Sequence, residues 1–170
     1  MTIISTAGAA NANSYIDLAD AETYFSSRMD SDKWTSATEE TKEGALVQSA
    51  ILLDSVFDWS GERVTEEQSL RWPRSYAPDL DGYDYPDDEI PTNLKHAQCE
   101  LAVYLIANNG YTAETRDVDR LRLGSIMLDF DNAAAALPIP NIVVDLLRGL
   151  GVYRGAGKSG SNLNVPLVRV

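Results

Sequence analysis

One cysteine, Cys99, and one histidine, His96, are all this chain holds of the two residues that most often build disulfide and metal sites. A lone cysteine excludes an internal disulfide and, with one histidine, leaves no cluster at metal-ligand spacing. No run of about eighteen apolar residues occurs, which argues against a helical membrane span. The opening stretch MTIISTAGAANANSY lacks the basic region and apolar core of a secretory signal, so a cytoplasmic origin is expected. Positive charge is scarce too. Fourteen Lys and Arg face 26 Asp and Glu, a net −12, which opposes loose binding to nucleic acid.

What is there suits one folded domain. The hydrophobic fraction is 44% over 170 residues, enough for a sizeable core. The charge is uneven: residues 151–170 hold Arg154, Lys158 and Arg169 and no acid, so they carry +3 and the rest −15. The expected organisation is an N-terminal arm or irregular lead-in over 1–13, a helical domain over 14–154, and a linker with an interaction strand over 155–170.

Periodicity predicts a mainly α fold: a small helical bundle, a short β-hairpin or extended arm, and an extended C-terminal tail. Asp17 is placed to cap a helix over 18–28, with Leu18, Ala21, Tyr24 and Phe25 on one face. Residues 29–37 read as a polar connection containing Trp34. Thr38 is a second cap, before a helix running to about residue 57. There Leu46, Ala50, Leu53 and Phe57 form a stripe that Val47, Ile51 and Val56 widen, and Gly44 costs about 1 kcal/mol relative to alanine. Residues 58–90 read as irregular, with one helical turn expected over 65–70 and an exposed acidic loop over 78–89. Pro91 opens a third, central helix to about residue 108, with Leu94, Ala97, Leu101, Tyr104 and Leu105 on one face. Alternation over 117–131, changing parity near Gly124, predicts a bend or hairpin. Pro140 starts a last helix over 141–150.

Residues 155–162 (GAGKSGSN) have linker composition. In the final LNVPLVRV, Leu163, Val165 and Leu167 share one face of an extended strand, and Val168 and Val170 share the other. Pro166 restricts it to an edge. Such a strand either folds back on the domain or adds to another protein's sheet.

The chemical motifs are incomplete, and no catalytic site, cofactor or metal is expected. His96 stands four residues before Glu100, the spacing of an ordinary helical pair. No nucleophile turn accompanies it. Gly155 to Ser159 imitate a phosphate loop, but the required first glycine is Val152. The acids from Asp79 onward fail the calcium-loop pattern, because Gly82 comes fourth rather than sixth. Trp34, Trp59 and Trp72, with the eight tyrosines, are candidate stacking surfaces for single-stranded nucleic acid, with Arg71 and Arg74 the cations flanking Trp72. The alternative is a ring closing the core edge, with Arg74 reaching a carboxylate.

Three ordered segments carry a resemblance. They are Ala12-Asn13-Ser14-Tyr15-Ile16-Asp17-Leu18-Ala19-Asp20-Ala21 with Tyr24-Phe25; Leu70-Arg71-Trp72-Pro73-Arg74; and Ile90-Pro91 with Leu94-Lys95, Ala97 and Cys99-Glu100-Leu101-Ala102. Over residues 12–150 the chain resembles the head–tail adaptor (connector) proteins of tailed phages. Some relatives of that type are labelled DnaT-like single-stranded-DNA-binding proteins. The resemblance implies a non-enzymatic virion protein, assembled in the host cytoplasm, in a closed ring of about twelve copies at the neck. Its partners would be the portal, the next neck or tail protein and itself, with DNA passing through but not bound specifically.

On that reading the tail residues Leu163, Val165, Leu167, Val168 and Val170 would join the portal, and Arg154, Lys158 and Arg169 would steer them. Asp79, Asp81, Tyr83, Asp84 and Tyr85 in the acidic loop, and Arg120 and Arg122 in the alternating segment, would face ring or tail neighbours. The alternative is a single-stranded-DNA-binding replication accessory that uses Trp72, Arg71, Arg74 and the basic tail.

Overall fold

The computed structural model describes residues 2–108, 120–123, 126–129 and 139–154. Residues 2–17 are irregular, and the Asn13 side chain pins them by accepting the Ile4 N–H at 2.8 Å and donating to the Thr2 carbonyl at 3.0 Å. Asp17 then starts α1 (Leu18–Ser26). Its carboxylate accepts the Asp20 N–H at 2.8 Å, satisfying one of the free donors of a first turn.

Residues 29–37 are not the plain polar connection their composition predicts. Asp32–Thr35 wind into one turn, α2, and bury Trp34 against Phe25, ring centroids 4.4 Å apart. A four-residue helix is too short to show a period. Thr38 caps α3 (Glu39–Val56), its hydroxyl accepting the Thr41 N–H at 3.3 Å. The expected stripe of Leu46, Ala50, Leu53 and Phe57 is buried, but Ile51 is 60% exposed. At about 100° per residue, Ile51 falls roughly 130° from the centre of that stripe.

α3 runs straight into β1 (Phe57–Trp59). β2 (Glu62–Arg63) and β3 (Arg74–Ser75) pair antiparallel beside it. The helical turn expected over 65–70 is absent. Instead Thr65 and Gln68 bond each other reciprocally, the Thr65 N–H to Gln68 Oε1 at 3.1 Å and the Gln68 N–H to Thr65 Oγ1 at 3.2 Å. Side-chain bonds of this kind compete with the helical ladder.

α4 (Thr92–Ala107) starts after Pro91, whose carbonyl accepts the Leu94 and Lys95 N–H groups. It is the central helix, packed against α1, α2, α3 and α5 (Asn141–Leu146). Leu94, Ala97, Leu101 and Leu105 join Leu53, Phe57, Trp72, Val143 and Leu147 in one cluster. Cys99 and Ala102 join Phe25, Trp34 and Leu46 in another. Gln98 is fully buried. Its Oε1 accepts the Tyr15 N–H at 2.9 Å, and its Nε2 donates to Ser14 Oγ at 2.7 Å and the Leu46 carbonyl at 2.8 Å. Glu100, also buried, pairs with Arg28 at 2.8 Å and accepts the Tyr24 hydroxyl.

β4 (Arg120–Leu123) and β5 (Ile126–Asp129) pair antiparallel, Leu121 opposite Leu128, as the alternating pattern predicts. The last helix is shorter than expected, ending at Leu146 rather than residue 150. Gly149, at φ +90°, then turns the chain. β6 (Gly151–Tyr153) pairs antiparallel with β1, Phe57 opposite Tyr153, a pairing the sequence pattern does not announce. The fold is thus mainly helical with small two-stranded sheets.

Two outcomes follow. Gln98→Leu strands the Tyr15 N–H and the Leu46 carbonyl and lowers stability by about 3 kcal/mol, read as a lower urea midpoint at unchanged slope. Gly44→Ala raises that midpoint by up to about 1 kcal/mol, because a Cβ there meets nothing within 4 Å.

Candidate functional site

The β2–β3 ladder sets Arg63 directly opposite Arg74. Like charges at such positions repel, their Cβ atoms about 5 Å apart. Each guanidinium is held by backbone carbonyls. Arg63 donates to the carbonyls of Gln68 and Glu66. Arg74 donates to Ser60 at 2.5 Å, Gly61 at 2.6 Å and Arg71 at 3.1 Å. The carboxylate expected for Arg74 is therefore replaced by carbonyls, which carry no countercharge. Gly61 makes the close approach possible: a Cβ there would lie 2.3 Å from the Ser75 carbonyl oxygen, at φ +70°.

Arg71 completes the cluster. Its backbone N–H donates to Asp54 Oδ2 at 3.0 Å and to the Tyr15 hydroxyl at 3.1 Å. Asp54 also accepts the Tyr15 O–H at 2.5 Å and the Trp59 indole N–H at 3.2 Å. Burial, then the charge of Asp54, holds Tyr15 well above the usual phenol range, so it stays a donor. Arg71 is exposed, and its charge acts on the Asp54 carboxylate as well as on Arg74. Burial lowers the pKa of Arg74, and the charges of Arg71 and then Arg63 lower it further, apart from partial offsets by Tyr15 and Asp54. The three cations thus share one local field.

Tyr76 follows two residues after Arg74. It is 75% exposed and is the one non-glycine residue with positive φ, +54°, among the described residues. A bulky side chain in that region costs about 1–3 kcal/mol.

The tryptophans are not free to stack. Trp34 and Trp72 are buried, and Trp59 is half-buried. Tyr153, Phe57, Trp59, Trp72 and Tyr85 form a continuous file of ring contacts. Arg63 is not legible from the sequence, because only the pairing of β2 with β3 brings it to Arg74, and composition does not single out Tyr76 from the other tyrosines.

The other expected residues lie apart. Asp81, Tyr83 and Asp84 sit on an exposed turn ordered by Asp79, whose carboxylate accepts the Asp81 and Tyr83 N–H groups, each at 2.9 Å. Tyr85 turns inward onto Trp72. Arg154 pairs with Asp58 at 2.8 Å and donates its N–H to the Val56 carbonyl, so it belongs to the end of β6. Arg120 and Arg122 lie on β4. Lys158, Leu163, Val165, Leu167, Val168, Arg169 and Val170 lie outside the described residues. His96 packs against Tyr24, and Glu100 spends its carboxylate on Arg28 and Tyr24. Burial pushes the Cys99 thiol up to about 12.

A protein-family model described as "Putative DnaT-like ssDNA binding protein" matches residues 1–170. No curated protein and no solved structure matches the chain significantly. The family match overturns the expected head–tail adaptor, with its ring, its portal and neck partners, its virion setting and its DNA passing through without specific binding. The physical reason lies in the residues that carried the resemblance. Tyr15, Ala21, Phe25, Trp72, Leu94 and Leu101 are core residues, and a shared core does not fix a partner.

Asp54 gives this site a pH signature. Burial raises its pKa, and its hydrogen bonds only partly offset that. A carboxylate raised in the folded state contributes stability that is full below the unfolded value, about 3.9, and is lost as pH rises through the folded value. The stability of the protein relative to Asp54→Asn therefore falls as pH rises through the acidic range, measured by urea unfolding in a pH series.

Proposed function

The chain belongs to the family of DnaT-like single-stranded-DNA-binding proteins, and from that membership we propose that it binds single-stranded DNA through Arg63, Arg71 and Arg74. The observation that carries the reading is the clustering itself. Three guanidiniums repel one another at one place in a protein of net −12, and no carboxylate compensates Arg63 or Arg74 in the hydrogen-bond pattern. Guanidiniums suit phosphate oxygens, to which they offer two parallel donors. Arg63 and Arg74 are held in place by carbonyls, and Arg71 is exposed.

The acidic body bounds the mode of binding. Glu62, Glu66 and Glu67 lie on the same stretch of chain, so the positive field is short-ranged. A contact of about three phosphates fits it, with modest affinity that is strongest at low salt. The tail adds charge of the same sign, from Lys158 and Arg169. The protein acts by binding rather than by catalysis, in the cytoplasm, where replication exposes single strands.

Fluorescence anisotropy with a labelled oligo-dT tests this. Binding at low salt is expected to weaken with a log–log slope of about −2, the value for three phosphates on a single strand. Arg71→Ala reduces that slope by about 0.7, and Arg71→Lys retains it. No binding at the lowest salt, or binding indifferent to salt, overturns the proposal.

A further inference from the structure

We infer that Tyr76 is a base-stacking residue, which makes the arginine cluster prefer strands with exposed bases over a bare sugar–phosphate chain. The inference rests on the single-stranded-DNA reading above and names the part of the ligand that arginines alone do not recognise.

Two independent observations converge on this side chain. The first is exposure beside the cations. Tyr76 is 75% exposed and lies two residues beyond Arg74, whereas Trp59 and Trp72 are committed to the ring file. An exposed ring next to a phosphate-binding group is what single-strand binders use, because every base offers a π-face. The second is its backbone. Tyr76 is held at φ +54°, where a tyrosine is strained and a glycine is not. Pairing on both sides imposes that turn. Ser75 is locked opposite Glu62, and on the far side the Ala77 carbonyl accepts the Tyr85 N–H at 3.0 Å. Neither the core nor the turn gains from a tyrosine at this position, since its ring is largely in solvent and its backbone favours glycine. The gain has to come from something outside the chain. Tyr83 is the internal comparison. It is equally exposed at 75%, but it stands between Asp81 and Asp84, whose charges repel phosphates.

The experiment compares two oligonucleotides of equal phosphate count, oligo-dT and its abasic counterpart, against the full chain. Wild type is expected to bind oligo-dT about tenfold tighter, within the range for one stacked base. Tyr76→Gly and Tyr76→Ala bring the ratio to about one by weakening oligo-dT binding alone. Tyr76→Phe keeps the ratio, because the phenyl face remains, and Tyr83→Ala keeps it as well. Tyr76→Gly also raises the melting temperature by roughly 2–4 °C, since it relieves the backbone. Lost base preference with gained stability cannot come from a damaged fold. Two outcomes overturn the inference while leaving the phosphate contact standing: equal wild-type binding of both oligonucleotides, or an unchanged ratio in Tyr76→Gly. Equal weakening of both ligands in Tyr76→Ala and Tyr76→Gly also overturns it, as a structural role would. Wild type binding neither oligonucleotide removes the single-stranded-DNA reading itself, and this inference with it.

Discussion

Everything around the arginine cluster depends on the half-buried carboxylate of Asp54. It collects the Tyr15 hydroxyl from the N-terminal segment, the Trp59 indole from β1, and the Arg71 backbone N–H from the loop between β2 and β3. An ionised carboxylate only accepts, so it serves three donors at once; an amide of the same shape would turn a donor towards one of them. The loop over 64–73 contains no helix or strand. Its geometry rests on Asp54 and on Gln68, whose Nε2 donates to the Leu70 carbonyl at 2.9 Å and the Pro73 carbonyl at 3.1 Å. Desolvation works against the charge of Asp54 and the donors work for it. The Arg71 side chain is presented where that balance leaves its backbone.

The electrostatics work on two length scales. Summed over the chain, charge is strongly negative and discourages indiscriminate contact with polyanions. Within a Debye length, about 8 Å at physiological salt, the sum matters less than the nearest groups. The guanidiniums of Arg63 and Arg74 rest on carbonyl acceptors inside an acidic envelope. Composition reports the envelope and cannot report the local arrangement of Arg63 against Arg74, which depends on strand pairing.

The sequence was legible where the signal is local. Asp17 and Thr38 start helices because a side-chain oxygen meets an N–H three residues on, and α4 follows Pro91 because a proline there loses nothing. The β4–β5 pairing shows as alternation. Long-range events left no such mark. Trp34 lies in too short a turn, and three-residue strands such as β1 and β6 have no period to read. At the site, Arg71 and Arg74 stand out beside Trp72, but the indole that seemed the obvious stacking face is buried. Tyr76, two residues beyond Arg74, is exposed instead, and the strand register brings Arg63 opposite Arg74.

The antiparallel contact between β1 and β6 also bears on how the chain is made. Phe57 and Tyr153 are roughly a hundred residues apart, and joining them closes most of the sequence into one loop, at an entropic cost that only the finished pairing offsets. A ribosome releases α1 to α4 long before it releases Tyr153. Helices α1 to α4 can pack during synthesis, but β1 waits with an unpaired edge until β6 has emerged. Residues 151–153 therefore act as a clasp on β1, and a chain truncated before them keeps an open strand edge ready to pair with a neighbour.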